Sequence, residues 1–127
     1  MKEPRWLNAN MIRAIHRSQV REHGGALGLR DQGLLDSELD RPRNRFHQES
    51  EADIFDLAAA YGVGLAQNHP FLDGNKRLAF QAMYVFLGLN GLPIEAKEPE
   101  VVHLILTLAA GDLPESELAA WLRNHTF

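Results

Sequence analysis

The chain of 127 residues contains no cysteine. This absence excludes disulfides, thiolate nucleophiles, cysteine-bound zinc and iron–sulfur clusters. Positive charge is also scarce: 13 Lys and Arg stand against 17 Asp and Glu, which gives a formal net charge of −4 and an isoelectric point near 5.8. Such a chain has no overall basic field to hold a polyanion, so we expect no direct nucleic-acid partner.

Long apolar runs are missing as well. The densest one, residues 78–89, is well short of the ~20 residues that cross a bilayer. Residues 1–6 carry charges and a proline, with no apolar run behind them, unlike a secretory signal. We therefore expect a soluble, cytoplasmic protein without a membrane partner. With 45% apolar and 24% charged residues, the composition is that of a folded globular protein, and residues 1–127 fit a single domain.

Helical patterns cover most of the chain. We predict helices over residues 8–22, 34–40, 53–68, 77–90, 99–110 and 114–124. The second helix is predicted to end before Pro42, because the residue before a proline avoids helical geometry, and residues 41–51 are predicted to form a polar surface loop. The third and fourth helices are apolar nearly all round, so we expect them to form the core. No strand pattern of useful length appears. The predicted fold class is therefore all-α, a compact bundle of about six helices.

Residues 26–31 separate the first two predicted helices. Glycines flank and interrupt this segment, which indicates a loop or a short extended flap.

The segment HPFLDGNKR, residues 69–77, lies between the two most apolar helices. Pro70 moves His69 out of helical geometry, so the preceding helix is predicted to end there. Asp73 or one of its neighbours can cap the next helix, and the residues around its start include Gly74, which lets a ligand approach the backbone, together with Lys76 and Arg77. A helix N-terminus with adjacent cations binds anions, and phosphate is the obvious one.

Two further side chains of this segment suggest chemistry. Asp73 would oppose anion binding unless a cation lies between, and a carboxylate beside phosphate oxygens is the usual arrangement for Mg²⁺. His69 is the only side chain there that exchanges a proton near neutral pH, so it is the candidate general base for an attacking hydroxyl. The competing interpretation makes Asp73 a plain N-cap, the two cations solvated and His69 a packed histidine at a turn. The density of explicable positions favours the functional interpretation.

The segment resembles the signature of the Fic/Doc family, His-Pro-Phe-x-Asp/Glu-Gly-Asn-Gly/Lys-Arg. Residues 28–39 with Arg41 and Pro42 are similar to the flap and following helix of Doc-type proteins, toxins of toxin–antitoxin pairs, and the likeness covers essentially the whole chain. It implies a catalytic base at His69, a core anchor at Phe71, a Mg²⁺ ligand at Asp73 and ATP as substrate. It further implies nucleotide-phosphate contacts from Gly74, Asn75, Lys76 and Arg77, and a target-docking flap formed by Leu27, Gly28, Leu29, Arg30 and Asp31.

Lys76 bears on which reaction is expected. AMP-transferring Fic enzymes usually have glycine there and Doc-type toxins have lysine. The resemblance implies that ATP then binds reversed and passes its γ-phosphate to a protein hydroxyl, a threonine of elongation factor Tu, which stops translation. Gly74 and Pro70 follow the Fic form, so adenylyl transfer is the alternative. A silent antitoxin-binding module is a second alternative, although binding alone does not need a titratable base such as His69.

Inhibition is expected from outside the chain. Self-restrained Fic proteins share a Ser/Thr-x-x-x-Glu-Gly/Asn helix, and residues 18–23 are the nearest match, which His23 breaks. We therefore expect a cognate antitoxin whose segment enters a groove and meets Arg77 or nearby helices. The remaining histidines have no zinc-type spacing, and the basic cluster of Arg41, Arg43 and Arg45 is interpreted as a solvated loop.

Overall fold

Six helices build the fold in a computed structural model that describes residues 1–126. They are α1 (Ala9–His23), α2 (Gln32–Gln48), α3 (Ile54–Asn68), α4 (Asn75–Leu89), α5 (Glu98–Ala109) and α6 (Glu115–Asn124). Extended pairing within these residues is limited to two isolated bridges, Leu29 with Phe71 and Ile94 with Thr126. The predicted all-α bundle is confirmed.

Helix α3 lies at the centre of the molecule and packs against α2, α4, α5 and α6. Its small side chains, Ala58, Ala59 and Ala60, are completely buried and allow the neighbouring helices to approach closely. Helix α4 contributes the larger core side chains, among them Met83 and Phe86. The prediction that these two helices form the core is confirmed. The loop that joins them is the HPFLDGNKR segment, so it is held at both ends by the most buried parts of the chain.

Helix α2 differs from its prediction because it continues through Pro42 to Gln48. The prediction of a helix ending at residue 40 and a loop over residues 41–51 is wrong. A proline inside a helix removes one hydrogen bond and costs about 3 kcal/mol. The continued helix, however, places Arg45 where its Nη1 donates to Oε2 of Glu115 in α6 at 2.7 Å. It also places Phe46 against Trp6, with 5.8 Å between the ring centroids. These tertiary contacts outweigh the local preference.

Side-chain caps define the starts of α1, α2 and α3. Asn8 caps α1, and Asp31 caps α2 by accepting from the N–H of Leu34, so α2 begins at Gln32, two residues before the predicted start. Asp53 and Asp56 form a capping box at the start of α3. None of the helices within residues 1–126 has the length and apolar character that a membrane span requires.

Candidate active site

A cavity of about 460 Å³ opens between the α3–α4 loop and the C-terminal end of α1. The structure brings six of the predicted site residues to its wall: His69, Asp73, Gly74, Asn75, Lys76 and Arg77. The opposite wall is formed by the last turn of α1 and the two glycines that follow it, Gly24 and Gly25. The general base, the carboxylate and the helix start that were predicted from one short segment therefore face a common space.

His69 has left-handed backbone angles, φ 51° and ψ 61°, and is the only non-glycine residue among residues 1–126 with positive φ. This confirms that α3 ends at His69. Left-handed geometry is uncommon for a residue with a side chain. The carbonyls on either side of the His69 Cα accept hydrogen bonds from Arg30, with Nε donating to His69 O at 2.7 Å and Nη2 donating to Asn68 O at 2.8 Å. The imidazole is exposed on the cavity wall.

The backbone of the predicted flap is hydrogen-bonded to the loop between α3 and α4. Pro70 O accepts from the N–H groups of Arg30 and Asp31, at 2.8 and 3.1 Å, and Gly28 O accepts from the N–H of Leu72 at 3.1 Å. Leu27 stays 60% exposed on the flap. The role of residues 27–31 in docking a target stays a prediction, but their position beside the loop is established by these hydrogen bonds.

Asp73 presents its carboxylate at the cavity. Oδ1 accepts from the N–H of Gly74 at 2.8 Å, and Oδ2 accepts from the N–H of Ala26 at 3.3 Å. A Cβ on Gly25 would lie 2.7 Å from Asp73 Oδ2, and Gly25 has a φ of +114°, so only glycine permits this approach. Sequence reasoning did not assign Gly25 to the site, because nothing in the local pattern connects it to Asp73, 48 positions along the chain.

The donor set around Asp73 fits Mg²⁺ that arrives with a nucleotide. Within residues 1–126 there is no group of three or more His, Asp or Glu side chains that would hold a metal ion unaided. Mg²⁺ is commonly bound through one or two carboxylates, with substrate phosphates and water completing its shell. A single carboxylate, Asp73, beside the start of α4 matches that pattern.

The start of α4 is open to an anion. Its N-cap is Gly74, with φ 75°, and no side chain within residues 1–126 caps the helix. The N–H groups of the first turn, at Asn75, Lys76 and Arg77, therefore point away from the helix without an internal partner. The interpretation of Asp73 as a plain N-cap is wrong. Over the residues that the structure describes, neither Lys76 nor Arg77 forms an ion pair.

Asn75 is placed differently from the other predicted phosphate contacts. Its side chain is buried, with Oδ1 accepting from Phe71 N–H at 3.1 Å and Nδ2 donating to Phe71 O at 2.9 Å. The amide therefore braces the loop, which leaves the backbone N–H of Asn75 for a phosphate. Phe71 itself is 3% exposed and lies in the core.

His16 of α1 packs against the loop between α3 and α4. Its ring stacks on Phe71 with 4.0 Å between centroids, and Nε2 donates to the carbonyl of Asp73 at 2.7 Å. Because a carbonyl oxygen only accepts, Nε2 carries the proton. Sequence analysis did not assign His16 to the site. Its spacing from Ile12 and Gln19, which are also buried, was the available signal.

Glu38 of α2 lies against the same end of α3. Asn68 Nδ2 donates to its Oε1. The other oxygen, Oε2, is buried and has no hydrogen-bond partner among residues 1–126, and Nη1 of Arg41 lies 3.8 Å from it. Burial raises the pKa of Glu38 above its ordinary value, although the bond from Asn68 and the charge of Arg41 both act to lower it. Its burial therefore makes ionisation of the Glu38 carboxyl less favourable than that of an exposed glutamate.

Comparison with known proteins identifies relatives along most of the chain. The sequence matches the model of the Fic/DOC family over residues 6–87. It is 31% identical over 120 residues to a protein named Protein kinase doc from Escherichia phage P1, with 94% of each chain covered. It is 42% identical over 74 residues to Toxin Doc from Mycolicibacterium smegmatis, covering 58% of this chain and 57% of that protein. The family match includes every residue of the cavity and of the flap.

Proposed function

Because this chain belongs to the Fic/DOC family, we propose that it is a Doc-type toxin that transfers the γ-phosphate of ATP to a hydroxyl group of a protein. The proposed target is a threonine of elongation factor Tu, whose modification stops translation. One observation carries the proposal: His69, Asp73 and the uncapped start of α4 face the same cavity. The relative named as a protein kinase agrees with this choice.

In the proposed reaction, the oxygen of the target hydroxyl forms a bond to the γ-phosphorus of ATP. The bond from that phosphorus to the β,γ-bridging oxygen breaks, and ADP leaves. The hydroxyl proton passes to an imidazole nitrogen of His69, which acts as general base. Phosphoryl transfer demands little covalent chemistry of the protein, so positioning and charge stabilisation carry most of the catalysis.

The phosphate oxygens are proposed to bind at the start of α4. The free N–H groups of the first turn and the positive end of the helix dipole favour negative charge there. The guanidinium of Arg77 adds two-pronged hydrogen bonds, whereas Lys76 adds a point charge. Asp73 would hold Mg²⁺, which supplies neutralisation of the phosphate charge when it is bound with the nucleotide.

Lys76 supports γ-phosphoryl transfer, whereas Gly74 and Pro70 favour adenylyl transfer, in which AMP would be attached instead. To separate the two, purified protein, Mg²⁺ and bacterial extract are incubated with ATP labelled at either the α or the γ phosphate. His69→Ala is the inactive variant, and His47→Ala, an exposed histidine of α2, is the matched control.

Label from γ-ATP on one band of the size of elongation factor Tu, lost only in His69→Ala, is the expected result. Label from α-ATP would replace the kinase proposal with an AMP transferase. Absence of label from both would overturn enzymatic transfer and favour a silent antitoxin-binding module.

A cognate antitoxin is the proposed partner, and its contact is proposed at Arg77 or the helices beside it. Glu22 is the nearest candidate for inhibition within the chain, and its Oε2 lies 3.9 Å from Nε2 of His23. Arg77 has no carboxylate partner among the described residues. The purified chain alone is therefore expected to be active. If it is silent and Glu22→Gly releases activity, inhibition comes from within the chain and the antitoxin proposal is wrong.

A further inference from the structure

We propose that Arg30, in the flap, is a positioning residue that sets the direction of the His69 imidazole. The inference rests on the proposed function, because it matters only if His69 is the general base. Arg30 Nε donates to His69 O at 2.7 Å, and Arg30 Nη2 donates to Asn68 O at 2.8 Å. The guanidinium therefore binds two successive carbonyls at the end of α3.

These two carbonyls belong to the peptide planes on either side of the His69 Cα. Each peptide unit is planar, so the orientations of the two planes define φ and ψ of His69. A guanidinium is rigid and planar. By binding both carbonyls at once, Arg30 restrains both angles, and with them the direction of the Cα–Cβ bond that carries the imidazole.

His69 needs such a restraint. Its left-handed backbone, φ 51°, is unfavourable for a residue with a side chain. The last carbonyls of a helix lack internal partners, and Pro70 has no N–H to donate to them. A cation at this helix end is also favoured by the helix dipole.

The backbone of Arg30 holds the same loop. Its N–H donates to Pro70 O at 2.8 Å, so the carbonyls of Asn68, His69 and Pro70 all accept from Arg30. The backbone that carries the Arg30 guanidinium is therefore itself held by a hydrogen bond to the loop. A segment proposed to dock the protein substrate therefore also sets the direction of the base.

Two other roles for Arg30 give different results. If Arg30 only docks the protein substrate, its removal raises KM for that substrate and leaves the backbone of His69 unchanged. If Arg30 only stabilises the fold, its removal lowers Tm. A positioning role predicts a lower kcat, unchanged ATP binding and an altered His69 conformation.

The test compares Arg30→Met, which keeps the aliphatic length but removes the donors, with Arg30→Lys, which keeps the charge without the two-pronged geometry. Arg13→Met is the control, because the guanidinium of Arg13 donates to the side chain of Gln32 at the start of α2 and not to the carbonyls at the end of α3. The backbone ¹³C shifts and the φ-dependent coupling of His69 are measured by NMR, together with Tm, ATP affinity, kcat and both KM values.

We expect His69 to leave the left-handed region in Arg30→Met and Arg30→Lys, and kcat to fall by about 10- to 100-fold, with Tm and ATP affinity as in the wild type. Arg13→Met is expected to match the wild type. The inference is overturned if the His69 signals are unchanged, or if lysine restores them fully. If the wild-type chain transfers no phosphate, the proposed function fails, while the NMR comparison still decides whether Arg30 positions His69.

Discussion

Two arginine-rich regions of the molecule use their charges in opposite ways. The motif region consists of residues 69–77 and the flap, residues 27–31. The paired region consists of Arg41, Arg45, Glu49, Asp56 and Glu115, between α2, α3 and α6. In the paired region, Arg45 meets Glu49 and Glu115, both at 2.7 Å, and Arg41 meets Glu115 at 2.8 Å. In the motif region, over the part of the chain that the structure describes, Lys76 and Arg77 meet no carboxylate.

The pKa of Arg45 reflects this pairing. Burial lowers it, but the hydrogen bond and charge of Glu49, together with Glu115, more than compensate, so the pKa of Arg45 lies above its ordinary value. The positive charge of Arg45 is neutralised by these carboxylates, so it contributes to packing and attracts a ligand only weakly. In the motif region, no carboxylate of the described residues neutralises Lys76 or Arg77, and both lie beside the positive end of the α4 dipole. The same residue type thus forms ion pairs in one place and, among the described residues, stays without a carboxylate partner in the other.

The largest effect that would sharpen this contrast is expected from Asp73→Asn. Asparagine still accepts from the Gly74 N–H but lacks the charge that would hold Mg²⁺, so we expect transfer to slow by at least about 100-fold. Initial rates measured against Mg²⁺ concentration test this. The control is Asp36→Asn, on the exposed face of α2. An unchanged Mg²⁺ dependence in Asp73→Asn would contradict the assignment.

A pair of matched substitutions tests directly whether the arginines of the two regions have different roles. Arg77→Met is expected to weaken ATP binding and slow transfer by about 10- to 100-fold without changing Tm. Arg45→Met is expected to leave transfer unchanged and to lower the free energy of unfolding by about 1–2 kcal/mol, because Glu49 and Glu115 lose a shared partner. Urea unfolding and ATP titration of both variants measure the two effects. If the two variants behave alike, the distinction between the regions is wrong.

Glu38 lies between the two regions, with Asn68 on one side and Arg41 on the other. Its pKa is raised above 4.5, so the folded state binds the proton more tightly than the unfolded state. The stability contributed by the protonated group is complete below pH 4.5 and is lost as the pH rises through the folded-state pKa. In Glu38→Gln this loss is expected to disappear. Unfolding free energies measured from pH 4 to 8 test it, and parallel curves for variant and wild type would refute it.

The smallest effect is expected at the exposed pair of Arg123 and Asp53, 2.7 Å apart, with side chains 44% and 45% exposed. Solvent and salt screen such a pair, so Arg123→Met is expected to cost about 0–1 kcal/mol. Urea unfolding at low and high salt measures the cost. A cost above about 2 kcal/mol, or one that salt does not reduce, would show that partial exposure does not separate weak pairs from those of the paired region.

Local patterns explain why much of the fold was predictable. The apolar periodicity of α3 and α4 and the effect of Pro70 on His69 act within a few residues, so they are readable from the sequence. The same holds for the glycine and the cations at the start of α4. The flap was also recognisable, from its glycines.

Other features depend on partners far along the chain. Arg45 and Glu115, 70 positions apart, help α2 to continue past Pro42. His16 meets the carbonyl of Asp73 across 57 positions, and Arg30 meets His69 across 39. The spacing of His16 from Ile12 and Gln19 indicates that it is buried but not which atom it meets. Pro42 was predicted to end a helix, and His16 was therefore left outside the site.

The sequence by itself determined six helical segments and one loop that carries a histidine, a carboxylate and the start of the next helix, because propensity, capping and proline geometry act over neighbouring residues. Only the tertiary structure decided which charges are neutralised and which remain free, and which side chains hold His69 and Asp73 in place. The physical reason is that ion pairing and bracing require atoms within about 3–4 Å. Folding alone brings distant residues that close.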